Sequence, residues 1–136
     1  MQPLLLDTHA AIWLVRGELK PAASARLDEA ARSGISTLVS PITAWEVGLL
    51  VSLDRVSLGA TPQGWFALVL RLPGMRLAGL SPEILIAASF LPGKPPRDPA
   101  DRILLATARD LGATLITRDR ELLAYGADGH VSAVEC

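Results

Sequence analysis

The stretch that most constrains this chain is Arg97 to Asp119, RDPADRILLATARDLGATLITRD. Asp98 followed by Pro99 is a helix start: a short acceptor side chain at the cap, then a proline where no amide hydrogen is needed. Asp101 falls at the third helical position, beside the positive end of the helix dipole. Ile103, Leu104, Ala106, Ala108 and Leu111 give that helix one broad apolar face. Gly112 stops it, because glycine accepts the left-handed conformation at a helix end. Ala113 to Ile116 is short, apolar and partly β-branched, as suits a strand covered on both faces. Thr117 and Asp119 come where that strand ends. Taken alone, Asp98 and Asp101 read as cap and first-turn residues, and Asp119 as an acid opening a turn.

The rest of the chain repeats the arrangement. Pro3 to Leu6 is a first, central strand ending abruptly at Asp7. Thr8 and His9 open a helix that runs through Trp13 and Leu14 to Gly17. Pro21 opens a second helix that stops at Gly34, and Ile35 to Val39 is a second strand. Ser40-Pro41 repeats the cap-then-proline start for a helix carrying Ile42, Trp45, Leu49, Leu50 and Leu53. Glu46 sits inside that apolar stripe, and its side chain leans back toward the end of the preceding strand. Residues 54–64 read as a loop, Trp65 to Leu72 as a helix, Arg76 to Leu80 as a strand and Pro82 to Phe90 as a helix. Residues 92–97, with prolines in tandem, read as a loop. A short helix from Glu121 to Tyr125 and a strand from Val131 to Val134 complete the chain. Strands alternating with helices predict an α/β protein, a three-layer α/β/α sandwich around a mostly parallel sheet.

Length and composition set the bounds. At 136 residues, residues 1–136 are expected to form a single domain with a substantial core. The hydrophobic fraction is 50%, so some apolar surface is expected to await a partner. Lys and Arg number 13 against 14 Asp and Glu, which argues against a large electrostatic footprint on nucleic acid. The one cysteine, Cys136, cannot form an internal disulfide, which points to a reducing, cytoplasmic compartment; it reads as a loose terminal thiol. No apolar run approaches the roughly 18 residues that span a bilayer.

In a parallel sheet with helices on both faces the ligand site lies beyond the carboxyl ends of the strands. Asp7 and Asp119 fall at such ends, Asp101 starts a helix near that edge, and Glu46 lies on the helix leaving the second strand. Four converging acids are stable together only if some are protonated or a cation is bound. All-oxygen ligands suit Mg²⁺ or Mn²⁺, which keep several waters and bind phosphate oxygens. One such ion, or two about 4 Å apart, would support phosphodiester hydrolysis. Nucleophile motifs, Gly-rich phosphate loops and zinc spacings are missing from the sequence.

Four segments together carry a family resemblance: LLLDTHAAIWL at 4–14, SPITAWEVGLL at 40–50, RDPADRILLATA at 97–108 and TLITRDREL at 114–122. Correctly ordered along the chain, they resemble the PIN-domain ribonucleases, specifically the VapC-type toxins of type II toxin–antitoxin systems. The resemblance implies a PIN-like fold and a Mg²⁺- or Mn²⁺-dependent endoribonuclease. Asp7, Glu46, Asp101 and Asp119 would be its catalytic and metal-binding acids, with Thr8, Thr117 and Asp98 in support. It implies an RNA substrate, a cognate antitoxin protein and a homodimer. The antitoxin groove is expected around Trp13, Val47, Leu50, Val51, Trp65 and Phe66. Relatives often carry a Gly-Lys turn after the third helix and histidines before the RDP element; this chain has Asp54-Arg55 and Lys94-Pro95-Pro96-Arg97 instead.

A basic rim is a separate expectation. Lys94, Arg97, Arg118 and Arg120, with Arg16 and Lys20, fall near the proposed edge and can hold RNA phosphates. The tryptophans read as core or interface, and His9 as a helix-start residue near the site. Two alternatives remain: a non-catalytic PIN-like domain that binds RNA or protein, and another metal-dependent phosphotransfer or phosphatase domain. The first predicts loss of at least one acid, and all four are present. A receiver needs paired acids after its first strand, and a phosphatase a second Asp two residues beyond the first, where this chain has His9.

Overall fold

The computed structural model describes residues 2–136. The elements are β1 (Leu4–Leu6), α1 (Thr8–Arg16), α2 (Pro21–Arg32), β2 (Thr37–Val39), α3 (Pro41–Ser52), α4 (Pro62–Arg71), β3 (Met75–Leu77), α5 (Pro82–Ala87), α6 (Pro99–Leu111), β4 (Thr114–Thr117), α7 (Arg120–Ala127) and β5 (Ser132–Glu135). The five strands form one sheet in the order β3-β2-β1-β4-β5, with every pairing parallel. The predicted α/β/α sandwich is therefore present. The chain builds outward from β1 on one side, then crosses back to lay β4 on the other. The crevice between the carboxyl ends of β1 and β4 is thus the switch point where parallel sheets bind ligands.

Strand alternation divides the core into two layers. Leu4, Leu6, Val39 and Ile116 pack on one face with α1, α2, Val47 of α3, and Trp65 and Val69 of α4. Leu5 and Leu115 point the other way, into Leu104, Leu105 and Ala108 of α6 and Leu122 and Tyr125 of α7. α5 packs through Ile84 against Ala106 of α6. Short side chains cap the helices as the sequence predicts: Ser40 accepts from the Ile42 amide at 3.1 Å and Asp98 from the Asp101 amide at 2.9 Å. Gly112 ends α6 at φ 62°, in the left-handed region.

Several boundaries differ from expectation. α4 starts at Pro62, not Trp65, because Thr61 caps it by accepting from the Gly64 amide at 3.0 Å. β3 is Met75–Leu77 rather than residues 76–80, since its partner β2 offers only three residues to pair with. α5 ends at Ala87 rather than Phe90; the carbonyls of Ala88 and Ser89 are taken instead by the Arg102 guanidinium. α7 extends over Arg120–Ala127, longer than residues 121–125. Cys136 is no loose thiol: it is buried in the core, and its amide donates to the Thr117 carbonyl at 3.0 Å. Among the described residues no helix is long and apolar enough to cross a membrane.

Candidate active site

The structure brings the four predicted acids together. Asp7, Glu46, Asp101 and Asp119 line one cleft of about 220 Å³ with Thr8, His9, Trp13 and Arg118. Each acid is placed by backbone that the local sequence dictates. Asp7 follows β1 directly, where its amide donates to the Ile116 carbonyl of β4 at 3.1 Å. As N-cap of α1 it accepts from the Ala10 amide at 2.7 Å through Oδ1. Its Oδ2 accepts from the Thr117 hydroxyl. The same hydroxyl accepts from the Asp119 amide at 3.0 Å, so Thr117 ties the two strand ends to each other. Asp119 caps α7, accepting at Oδ1 from the amides of Glu121 (2.8 Å) and Leu122 (3.1 Å).

Glu46 comes from α3 and is held by the Thr8 hydroxyl, which also meets Thr43 Oγ1 at 3.1 Å. A hydroxyl has one proton. With that proton given to Glu46, Thr43 must be the donor to Thr8, and the relay runs from α3 through α1 back to α3. Thr43 is fully buried and was not singled out from sequence; its spacing three residues before Glu46 was the available signal. The apolar stripe read on α3 was misplaced. Trp45 is 60% exposed and Leu49 and Leu53 are exposed too, while Thr43 and Val47 face inward. α3 is apolar nearly all round, so periodicity could not distinguish its faces.

The electrostatics show the cost of this convergence. Asp101 has the strongest perturbation, pushed up to about 7 by burial first, then by the charges of Asp98, Asp119, Glu46 and Asp7. Among the described residues no donor satisfies its carboxylate, whereas Asp98 spends an oxygen capping the helix. Burial also raises Asp7, against the Thr117 and Ala10 hydrogen bonds that lower it. Glu46 is raised by burial, offset by Thr8. Such mutual repulsion is relieved by a cation, and the donor set is all oxygen. Among the described residues no group of three or more His, Cys, Asp or Glu side chains is arranged, as it stands, to hold a metal ion.

The predicted basic rim divides. Arg118 lines the cleft, but its guanidinium lies over the Trp13 ring and donates to the Cys136 carbonyl at 2.8 Å. Arg16 donates to the Ser57 carbonyl at 2.8 Å, and Lys20 pairs with Glu135. These three are engaged within the protein. Lys94, Arg97 and Arg120 are exposed and lie outside the cleft lining. The antitoxin groove expected between α1, α3 and α4 is largely filled: Val47 and Trp65 belong to the core, with Trp13, Leu50 and Phe66 packed against it. His9, read from sequence as a helix-start residue near the site, is in the cleft wall, and Trp13, four residues on along α1 and expected at the core or an interface, lies there with it.

A parallel sheet whose switch point carries a cluster of carboxylates and no nucleophile motif defines a class, and comparison with known proteins gives it its name: the chain belongs to the PIN-domain family, whose model, described as PIN domain, matches residues 4–127. The chain is 32% identical over 129 residues to Ribonuclease VapC22 of Mycobacterium tuberculosis (strain ATCC 25618 / H37Rv), covering 92% of this chain and 93% of that protein. Its fold is similar to one in the crystal structure of VapBC2 from Rickettsia felis bound to a DNA fragment from their promoter, with a TM-score of 0.70, 13% identity and 98% of each chain covered.

Proposed function

We propose that this protein is a Mg²⁺- or Mn²⁺-dependent endoribonuclease, the toxin of a toxin–antitoxin pair. The observation that carries the reading is the gathering of Asp7, Glu46, Asp101 and Asp119 in one cleft at the switch point, on a chain similar to a named ribonuclease along almost its full length. These four carboxylates would hold the ion, which when bound polarises a phosphodiester and makes a water nucleophilic near neutral pH. Thr117 and Thr8 orient Asp7 and Glu46 by hydrogen bonds, while the remaining acids would have to draw in around an ion. Asp119, with Oδ1 committed to two amides, keeps Oδ2 for the cleft. With its pKa pushed up to about 7, chiefly by burial, Asp101 would carry a proton in the metal-free cleft at lower pH and would release it on binding a cation. Lys94, Arg97 and Arg120 would contact RNA phosphates beyond the cleft.

The partner reading rests on the likeness to the fold in the VapBC2 structure from Rickettsia felis and on the apolar surface of this chain. Trp45, Leu49 and Leu53 fall at four-residue spacing along one face of α3, and Phe90 after α5 is 80% exposed. An antitoxin segment and a second copy of the chain would cover such faces. A free, buried thiol agrees with a cytoplasmic setting. The test is cleavage of total RNA by antitoxin-free protein with Mg²⁺, with Mn²⁺ and with EDTA, beside Asp101→Asn. Discrete metal-dependent cuts that vanish in the variant support the reading; cuts that persist in EDTA or in the variant contradict it. Retained metal binding without cleavage of any RNA would favour the binding-domain alternative.

A further inference from the structure

The cleft lining is acidic in part and aromatic in part. Asp7 caps α1, and His9 and Trp13 follow two and six residues on, about 3 and 9 Å along the helix axis. Being four residues apart, they are neighbours on the helix surface. Their ring centroids are 5.7 Å apart, tilted by 42°. The Arg118 guanidinium carbon lies 3.9 Å from the Trp13 ring centroid. Arg118 is fixed there: its terminal nitrogen Nη2 donates to the Cys136 carbonyl at 2.8 Å and to the Glu18 carbonyl at 3.3 Å. It forgoes a hydrogen bond to lie on the indole, since its Nε is buried with no acceptor. His9 is exposed and, among the described residues, makes no hydrogen bond. All three line the same cleft as the four acids.

A nucleotide presents the same two kinds of surface, an anionic phosphate and a flat base. Single-stranded nucleic acid is held by stacking of its bases on aromatic rings and guanidinium planes. We propose that His9, Trp13 and Arg118 form a nucleobase-stacking subsite, which holds the base of the nucleotide whose phosphate lies against the carboxylates. The inference rests on the nuclease reading for its class of ligand. Arg118 acts here as the rigid backing of the indole, and His9 is the ring open to a base. The subsite is sequence-tolerant by nature, because every base has a stacking face.

The test compares adenosine 5′-monophosphate with ribose 5-phosphate, by calorimetric titration at fixed Mg²⁺. The two ligands differ only in the base. In the wild type the nucleotide should bind about tenfold more tightly, toward the lower end of what one base–aromatic stack supplies. In His9→Ala and in Trp13→Leu that preference should fall below about twofold, with ribose 5-phosphate affinity unchanged. His9 is exposed, so its variant does not test folding; circular dichroism checks the Trp13 variant. Equal binding of the two ligands, binding of neither, or a preference that survives both substitutions overturns the subsite. RNA cleavage measured alongside separates the two ideas. Cleavage without base preference removes the subsite and leaves the nuclease; base preference without metal-dependent cleavage removes the nuclease and leaves a nucleotide-binding wall.

Discussion

The two ends of the sheet make an instructive pair. At the amino end a cavity of about 350 Å³ is lined by Gln2, Leu4, Arg26, Glu29, Ala30, Ile35 and Thr114. It is larger than the cleft at the carboxyl end, at about 220 Å³. Several of its polar groups are nevertheless paired: Thr114 shares hydrogen bonds with Gln2 at 3.1 Å and Ser132 at 2.9 Å, and Glu29 is held by Arg32 at 2.9 Å. Arg32 and Ser33 hold the Glu29 carboxyl below its usual range. At the carboxyl end the carboxyls of Asp7, Glu46 and Asp101 are pushed the opposite way. Buried carboxyls with raised pKa values, and not volume, distinguish the end where the site is proposed.

The sharpest way to break that contrast is to neutralise one carboxylate at each end. Asp101→Asn or Glu46→Gln should lower RNA cleavage by about a hundredfold or more, as expected for loss of a ligand or proton-handling group. Glu29→Gln at the other end should leave the initial rate on a labelled oligonucleotide within about twofold. Equal losses at both ends would erase the distinction.

Thr117→Val comes next. It removes the donor to buried Asp7 and the acceptor of the Asp119 amide together. Cleavage should slow about tenfold and stability should fall by about 1–2 kcal/mol in denaturant melts. Thr117→Ser should restore both.

The pH dependence of stability follows from Asp101. Burial, then the neighbouring carboxylates, push its folded-state pKa up to about 7, against 3.8 for a free aspartate. Between those values the folded chain keeps a proton that the unfolded chain has lost, so stability falls as pH rises through that window. Asp7 and Glu46, both raised, act in the same direction. Melting of metal-free protein should therefore shift downward from about pH 4 to pH 7. Asp101→Asn should flatten the trend, raising Tm at pH 7.5 by about 4 °C. A metal-free Tm that climbs steadily to pH 7 would contradict the repulsion. The smallest effect is expected at Lys20→Ala, which removes an exposed pair with Glu135 and should cost no more than about 1 kcal/mol.

Much of this was legible in the chain itself. Asp98-Pro99 and Gly112 bracket α6 as read, and the positions of Asp7 and Asp119 after apolar runs placed them at strand ends. What failed did so for physical reasons. Thr61-Pro62 carries the same cap signature as Ser40-Pro41, yet its helix was started late because the loop before it has no apolar period. The faces of α3 were confused because the surface it leaves exposed is as apolar as the one it buries. Arg118 was read as a free phosphate contact; pairwise sequence distance cannot show that it lies on Trp13, 105 residues away.

The most direct measurement of the central claim is calorimetric titration of Mn²⁺ into metal-free protein at pH 6, in two buffers of different ionisation enthalpy. If the four carboxylates form one cation site whose repulsion is stored at Asp101, Mn²⁺ should bind with release of about one proton, and Asp101→Asn should bind more weakly with that release gone. Mn²⁺ that fails to bind the wild type, or binds with no proton released, would contradict it.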